Sequence, residues 1–208
     1  MTRAADGASR YALSFTSGAL LLHEAEVAVQ AYFGHGSWPE ARKAILDENL
    51  LQARTQASAA RRTREVIQRL ETLTDPELDL LANAIGAERP ALLWVAACRR
   101  YDFLAEFAEG VVRERYLLFK PDLGHGDFDG FVRDRSLWHP ELDELTTMTL
   151  QKLRSNVFRM LKELGALTKS GALQATSLTA RVVAELDRRE PSDVRLFPTN
   201  MSIAGGNL

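Results

Sequence analysis

Residues 49–70 have the sequence NLLQARTQASAARRTREVIQRL, which predicts one long helix with two chemically different faces. At about 3.6 residues per turn, small and apolar side chains fall on one stripe, namely Ala59, Thr63, Val66, Ile67, Leu70 and Leu73. Polar side chains project from the opposite side, namely Arg54, Arg61, Arg64 and Gln68. One face is therefore predicted to pack against a core, and the other to meet solvent or a partner.

Positive charge is concentrated in the same segment. A single acid, Glu65, accompanies five arginines, although the whole chain has a net charge of -2. The first group of candidate DNA-binding residues comprises Arg54, Arg61, Arg62, Arg64 and Arg69. Guanidinium groups bind phosphate oxygens well, so the cluster indicates an anionic partner. The alternative is an ordinary solvated face with pairs such as Arg61 and Glu65 at i,i+4 spacing.

The composition is typical of a soluble globular protein. The chain has 208 residues, of which 46% are hydrophobic and 26% charged, which suits one large domain or two small ones. It lacks the roughly 18 consecutive apolar residues of a membrane span, and its N-terminus lacks the apolar region of a signal peptide. We therefore expect a cytoplasmic protein with no membrane association. The lone Cys98 excludes an internal disulfide bond.

The pattern of hydrophobic residues predicts a mainly α fold in two parts. Residues 1–10 are small and polar, and we expect them to be disordered. Residues 11–120 are predicted to form a helical bundle, because strand-like alternation is nowhere sustained in them. Residues 121–130 contain three glycines and a proline and are the predicted linker. A second domain is predicted over residues 131–190, followed by an extended tail over residues 191–208.

The second domain is predicted to be a winged helix-turn-helix-like unit with a small β-hairpin. An amphipathic helix over about residues 148–164 precedes the turn sequence Lys169-Ser170-Gly171, and a last helix runs from about Ser177 to Arg189. The order of helix, basic helix, hairpin and helix is that of a winged helix. In that motif the helix before the wing enters the major groove of DNA.

The second group of candidate DNA-binding residues lies on this helix and its wing. It comprises Gln151, Lys152, Ser155, Arg159, Lys162 and Lys169. Gln151, Lys152 and Ser155 are the predicted base contacts, because the early part of a recognition helix lies deepest in the groove. Lys169 would meet phosphate at the tip of the hairpin. The alternatives are an ordinary exposed face and a protein-docking surface, since winged helices also dock proteins.

No sequence pattern predicts catalysis, a cofactor or a metal site. The chain contains no G-x-x-x-x-G-K-[ST], G-x-G-x-x-G or G-x-S-x-G motif. Its four histidines are scattered and have no ligand partner at i,i+4 spacing. We therefore expect a protein that is not an enzyme and that uses no cofactor.

Several blocks of the sequence, in their order and spacing, resemble the BrxA family. They are Phe15-Thr16-Ser17-Gly18-Ala19-Leu20-Leu21-Leu22, Glu48-Asn49-Leu50-Leu51-Gln52, Val112-Arg113-Glu114-Arg115-Tyr116-Leu117, Lys152-Leu153-Arg154 and Met160-Leu161-Lys162-Glu163-Leu164-Gly165. The resemblance covers roughly residues 11 to 190. It implies a small, helical, DNA-binding accessory protein of BREX bacteriophage defence, acting beside a methyltransferase and an ATPase, with no catalytic residues to transfer.

The sequence supports three functional hypotheses. The first is a non-enzymatic DNA-binding component of a BREX phage-resistance system that contacts duplex DNA mainly through phosphates. The second is a protein-docking adaptor whose arginines meet acidic surfaces of another BREX subunit. The third is an RNA-binding helical bundle, which would prefer single-stranded or structured RNA to duplex DNA.

Overall fold

A computed structural model describes residues 10–16 and 18–200 of the chain. Residues 1–9, predicted to be disordered, and residues 201–208 of the predicted tail lie outside the described residues. The described chain is mainly helical, as predicted. Its β-structure is limited, within the described residues, to two isolated antiparallel bridges, Asp122 with Ala172 and Leu167 with Leu173. No helix in this part of the chain is long and apolar enough to cross a membrane.

The helices follow one another with short connections. Their bounds are α1 Leu22–His35, α2 Trp38–Asp47, α3 Gln56–Leu70, α4 Asp75–Ala82, α5 Glu88–Arg100, α6 Asp102–Phe107, α7 Glu114–Leu117, α8 His125–Ser136, α9 Thr147–Leu164 and α10 Ala180–Leu186. A π-helical turn, Ala108–Arg113, joins α6 to α7, and 3-10 turns span Pro140–Leu142 and Asp193–Leu196.

The arginine-rich segment is not one continuous helix from residue 49, so that prediction is wrong at its N-terminal end. Helix α3 begins at Gln56, where the Thr55 hydroxyl accepts a hydrogen bond from the Ser58 amide at 3.1 Å. Before it, Asn49 has a positive φ of 48°, and its side-chain oxygen accepts from the Ala53 amide at 3.0 Å. Asparagine side chains that bond nearby backbone compete with helix formation, so Arg54 lies in a loop.

The predicted division into two domains differs from the observed packing. Residues of the predicted bundle and of the predicted second domain belong to one hydrophobic cluster, in which Leu92 of α5 and Leu161 of α9 are fully buried. The predicted linker contributes Leu123 and Phe128 to this cluster, and α8 begins within it in sequence, at the exposed residue His125. Residues 121–130 therefore form a turn and a helix start whose apolar side chains join a shared core, while Gly124 and Gly126 are exposed.

The start of the predicted tail also belongs to the core. The chain forms a 3-10 turn at Asp193–Leu196, and Val194, Leu196 and Phe197 are buried. The indole nitrogen of Trp94 on α5 donates to the Leu196 carbonyl at 2.9 Å. Burying apolar surface against α5 holds this segment in place, so residues 193–197 are not an extended tail.

Residues 15, 16 and 18–20 lie along the surface of α9 before α1 begins. Asn156, a buried residue of α9, donates its side-chain amide to the Phe15 carbonyl at 3.0 Å. Glu163, further along α9, accepts from the Leu20 amide at 2.8 Å. These two bonds fix the N-terminal segment along the helix that carries the second candidate group.

An ion pair between the exposed Arg181 and the buried Glu88 joins α10 to α5. Glu88 accepts hydrogen bonds from Arg181 and from the Thr179 hydroxyl at 2.8 Å. Chiefly because of the hydrogen bonds from Arg181, the pKa of Glu88 falls to about 2 from its ordinary 4.5. A carboxyl group whose pKa is lower in the folded state stabilises the fold at pH values above its unfolded pKa. This stabilisation is lost as the pH falls through the folded pKa. This stabilisation is therefore present above pH 4.5 and disappears towards pH 2.

We expect Glu88→Gln to destabilise the protein at neutral pH and to have a smaller effect in acid. The reason is that wild-type Glu88 itself becomes protonated as the pH approaches its folded pKa. Urea unfolding of both proteins between about pH 7 and about pH 3 measures the difference. A destabilisation that stays constant over that range would contradict the lowered pKa of Glu88 in the folded protein.

Candidate nucleic-acid interface

The outer face of α9 lines a cleft of about 450 Å³. Helical spacing separates this face from the buried side of α9, which carries Leu153, Val157 and Leu161. The cleft is lined by Thr16, Gly18, Met148, Gln151, Lys152, Ser155, Asn156 and Arg159. Four predicted DNA-binding residues of the second group therefore share one exposed surface.

The cationic side chains of this face have no internal counter-charge. Lys152, Arg159 and Lys162 are exposed, and none of them forms an ion pair within residues 10–16 and 18–200. Their neighbour Arg154, by contrast, pairs with Asp129 at 2.7 Å on another side of the helix. The three free cations can therefore bind an external anion without breaking an existing salt bridge.

One wall of the cleft is formed by the N-terminal segment that is hydrogen-bonded to Asn156 of α9. The hydrogen bond from Asn156 to the Phe15 carbonyl places Thr16 and Gly18 beside α9. These residues are far from α9 in sequence, and the prediction missed them because no local pattern reveals a long-range crossing. Met148 was also missed, although it is exposed at the first turn of α9, where a recognition helix makes base contacts.

The remaining two residues of the second group lie beyond the cleft. Lys162 is on the last turn of α9 and does not line the cleft, and Lys169 is exposed in the turn that follows. In this turn the Thr168 amide donates to the Ala172 carbonyl at 2.9 Å, and Gly171 has a φ of 91°. The predicted hairpin is thus a tight turn with isolated bridges, and it presents Lys169 to solvent.

The first group of candidates is divided by the fold. Arg61 and Arg64 on α3 are exposed and have no ion-pair partner in the described residues, whereas Arg62 pairs with Glu24 at 3.4 Å. Arg64 lines a cleft of about 310 Å³ with Arg42 of α2. Arg54 lines a third cleft, of about 550 Å³, before α3 begins. The arginines of α3 and the basic face of α9 therefore line different clefts.

Arg69 is not a surface residue, and its prediction as a DNA contact is wrong. Its side chain is only 2% exposed. It donates to Glu65 from Nε at 2.9 Å and to the Ala19 carbonyl from Nη1 at 2.7 Å. Tyr101 also donates to Glu65, at 2.6 Å, and burial together with this hydrogen bond raises the pKa of Tyr101. Arg69 is enclosed because α1 and α5 cover the C-terminal end of α3.

Comparisons with known proteins agree with the resemblance of the sequence blocks. A family model described as BrxA matches residues 9–190. A "BREX protein BrxA" from Paramagnetospirillum magneticum strain AMB-1 is 28% identical over 181 residues, which cover 85% of this chain and 90% of that relative. A "BREX protein BrxA" from Escherichia coli O9:H4 strain HS is 26% identical over 179 residues, covering 85% of this chain and 84% of the relative.

A solved structure has the same fold. It is described as the crystal structure of an uncharacterized protein from Magnetospirillum magneticum, and it superposes with a TM-score of 0.76. The two chains are 23% identical, and the match covers 90% of this chain and 97% of the other.

Proposed function

The chain belongs to the BrxA family, and we propose that it is a non-enzymatic, DNA-binding component of a BREX bacteriophage defence system. The observation that carries the DNA-binding proposal is the cleft beside α9, whose cations Lys152 and Arg159 form no ion pair with any described residue. Unpaired cations on one helix face favour a polyanion, because binding releases the counterions condensed on its phosphates.

In this proposal α9 is the helix that enters the major groove, which is wide enough to admit one helix. Gln151, Lys152 and Ser155 face the bases, and Arg159 and Lys162 reach phosphate oxygens. The turn that carries Lys169 acts as a short wing against the backbone. This is a winged-helix-like use of the fold, with a wing made of a turn rather than a long hairpin.

The exposed arginines of α3 provide a second phosphate contact in the proposal. Arg61 and Arg64 have no carboxylate partner in the described part of the chain, so they would strengthen binding to any sequence. They contribute affinity rather than specificity. The protein would act in the cytoplasm beside the methyltransferase and ATPase of the system.

We expect Arg61→Glu/Arg64→Glu to weaken duplex binding about tenfold, because two phosphate contacts become repulsive. The loss should be similar for unrelated DNA sequences. Fluorescence anisotropy with labelled duplexes measures it. The matched control is Lys43→Glu/Arg188→Glu, which makes the same charge change at two exposed residues already paired with Asp47 and Glu185. Equal affinities of the two variants would remove α3 from the interface.

Two other functions make different predictions in the same assay. An RNA-binding bundle would bind single-stranded or hairpin RNA more tightly than a duplex DNA of equal length. An adaptor would show little affinity for either nucleic acid at physiological salt and would co-purify with another BREX subunit. The proposal predicts that duplex DNA is preferred, and a preference for RNA would overturn it.

A further inference from the structure

Three consecutive apolar side chains are exposed at the end of α7. Leu117 is 44% exposed, Leu118 is 56% exposed, and Phe119 is 91% exposed. Single exposed apolar residues are common, but a contiguous group with an aromatic residue at its end is typical of protein interaction sites. None of these residues lines the cleft beside α9, so this apolar patch is separate from the proposed DNA interface.

The backbone holds the patch in a fixed conformation. Phe119 has a φ of 55°, in the left-handed region that glycine normally occupies after a helix. Its amide donates to the Tyr116 carbonyl at 3.1 Å, and the Lys120 amide donates to the Arg115 carbonyl at 2.9 Å. The Arg115 side chain then bonds the Asp122 carbonyl at 2.8 Å and pairs with Asp127 at 2.8 Å. An unfavourable conformation that is held this firmly, around a residue that packs on nothing, points to a function.

A cleft of about 500 Å³ adjoins the patch. Its lining includes Leu117, Leu118, Gly110 and Arg113. The Nη1 atom of Arg113 is buried and has no hydrogen-bond partner within the described residues. Arg113 is half-buried, and this burial lowers the pKa of its guanidinium. A buried, unpaired guanidinium nitrogen is costly and is usually satisfied by an acceptor.

The unsatisfied guanidinium nitrogen of Arg113, rather than an excess of positive charge, favours an acidic partner. Arg113 and Lys120 are unpaired in the described part of the chain, and the nearby carboxylate of Glu109 is already held by Arg195 at 3.2 Å. Glu114 is the remaining carboxylate of the cleft lining. Asp122, two residues after Lys120, is also exposed without an ion pair in the described residues, so the free charges balance. The guanidinium nitrogen of Arg113 that lacks an acceptor is therefore the feature that favours a carboxylate.

We propose that this patch docks a segment of another protein that inserts an apolar side chain between Leu117 and Phe119 and brings a carboxylate to Arg113. A carboxylate would supply the acceptor that Arg113 lacks, and apolar contact would cover the exposed leucines and the phenylalanine. The proposal does not rest on DNA binding, because its residues and the residues of the α9 cleft are distinct sets.

The test places a photo-crosslinking residue at the tip of the patch. The Phe119→p-benzoylphenylalanine variant is expressed in cells that carry the complete defence system. The cells are irradiated, and the crosslinked peptide is then sequenced. The expected product is a segment of a different protein that has Asp or Glu beside a leucine or aromatic residue. When Lys120→Glu or Arg113→Glu is added to this protein, the yield of the crosslinked product should fall about tenfold or more. In the Arg113→Glu background, replacing the partner's carboxylate residue by arginine should restore the yield.

The controls separate docking from general stickiness and from misfolding. Ile85→p-benzoylphenylalanine places the same probe at another exposed apolar residue, 71% exposed, and should not give this product. Lys120→Glu changes an exposed side chain, so its effect does not depend on the folding of the Arg113→Glu variant. The proposal is overturned by a crosslink to a second copy of this chain, to nucleic acid or to a segment without acidic residues, and equally by no crosslink.

Discussion

Arg99→Ala is expected to lower the free energy of unfolding by about 3–5 kcal/mol, because it leaves the buried carboxylate of Glu77 without its cation and removes one of the cations that pair with Asp193. Arg99 donates to both oxygens of Glu77 at 2.6 Å and to Asp193 at 2.8 Å. Its Nη1 also bonds the Thr72 carbonyl at 3.0 Å. Burial alone would raise the pKa of Glu77, but the hydrogen bonds from Arg99 and Thr74 lower it. Urea unfolding at neutral pH measures the loss.

The control for this prediction is Arg188→Ala, which breaks an exposed pair with Glu185 and should cost less than about 1 kcal/mol. A similarly small cost for Arg99→Ala would mean that Glu77 and Asp193 find other partners. The prediction also tests the position of residues 193–197. Asp193 lies in the segment that the sequence predicts as a tail, and it can matter for stability only if that segment is part of the folded core.

Lys152→Glu/Arg159→Glu is expected to weaken duplex DNA binding about 100-fold, because two charge-assisted contacts of roughly 1.5 kcal/mol each are lost. Both side chains are exposed on the face of α9 opposite Leu153 and Leu161, so the fold should survive. Anisotropy titration at fixed salt gives the affinity, and thermal unfolding checks the fold.

The same control, Lys43→Glu/Arg188→Glu, changes the net charge of the protein equally and should have a much smaller effect on affinity. If the two double variants bind alike, then general charge rather than the α9 cleft determines affinity. A loss that appears for one DNA sequence and not for others would instead indicate that Lys152 contacts bases.

Helix α9 shows what a local pattern can predict. A helix was expected over about residues 148–164, and it is observed over Thr147–Leu164, ending at Gly165 with a φ of 79°. The apolar period, the hydroxyl at the start and the glycine at the end all lie within the segment itself. The core stripe of α3 is confirmed for the same reason, since Ala59, Thr63, Val66, Ile67 and Leu70 are all buried.

Arg69 shows where local patterns fail. Its helix position is compatible with exposure, and only the packing of Ala19 and Tyr101, from distant parts of the chain, decides that it is enclosed. The cleft beside α9 depends likewise on the contacts of Phe15 and Leu20 with this helix, which no periodicity reveals. Composition also could not show that Leu123 and Phe128 of residues 121–130 join a shared core, because a flexible linker and a tight turn use the same glycines and proline.

The most direct test of the central claim is the salt dependence of duplex binding by the wild-type protein. Anisotropy titrations at several salt concentrations should give an affinity that falls linearly on logarithmic axes, with a slope that changes by about 0.9 for each phosphate contact. In Lys152→Glu/Arg159→Glu the slope should be shallower by the amount that corresponds to about two lost phosphate contacts. In the Lys43→Glu/Arg188→Glu control the slope should be nearly unchanged. Absence of duplex binding at low salt, or equal slopes in all three proteins, would contradict the assignment of the α9 cleft as the DNA interface.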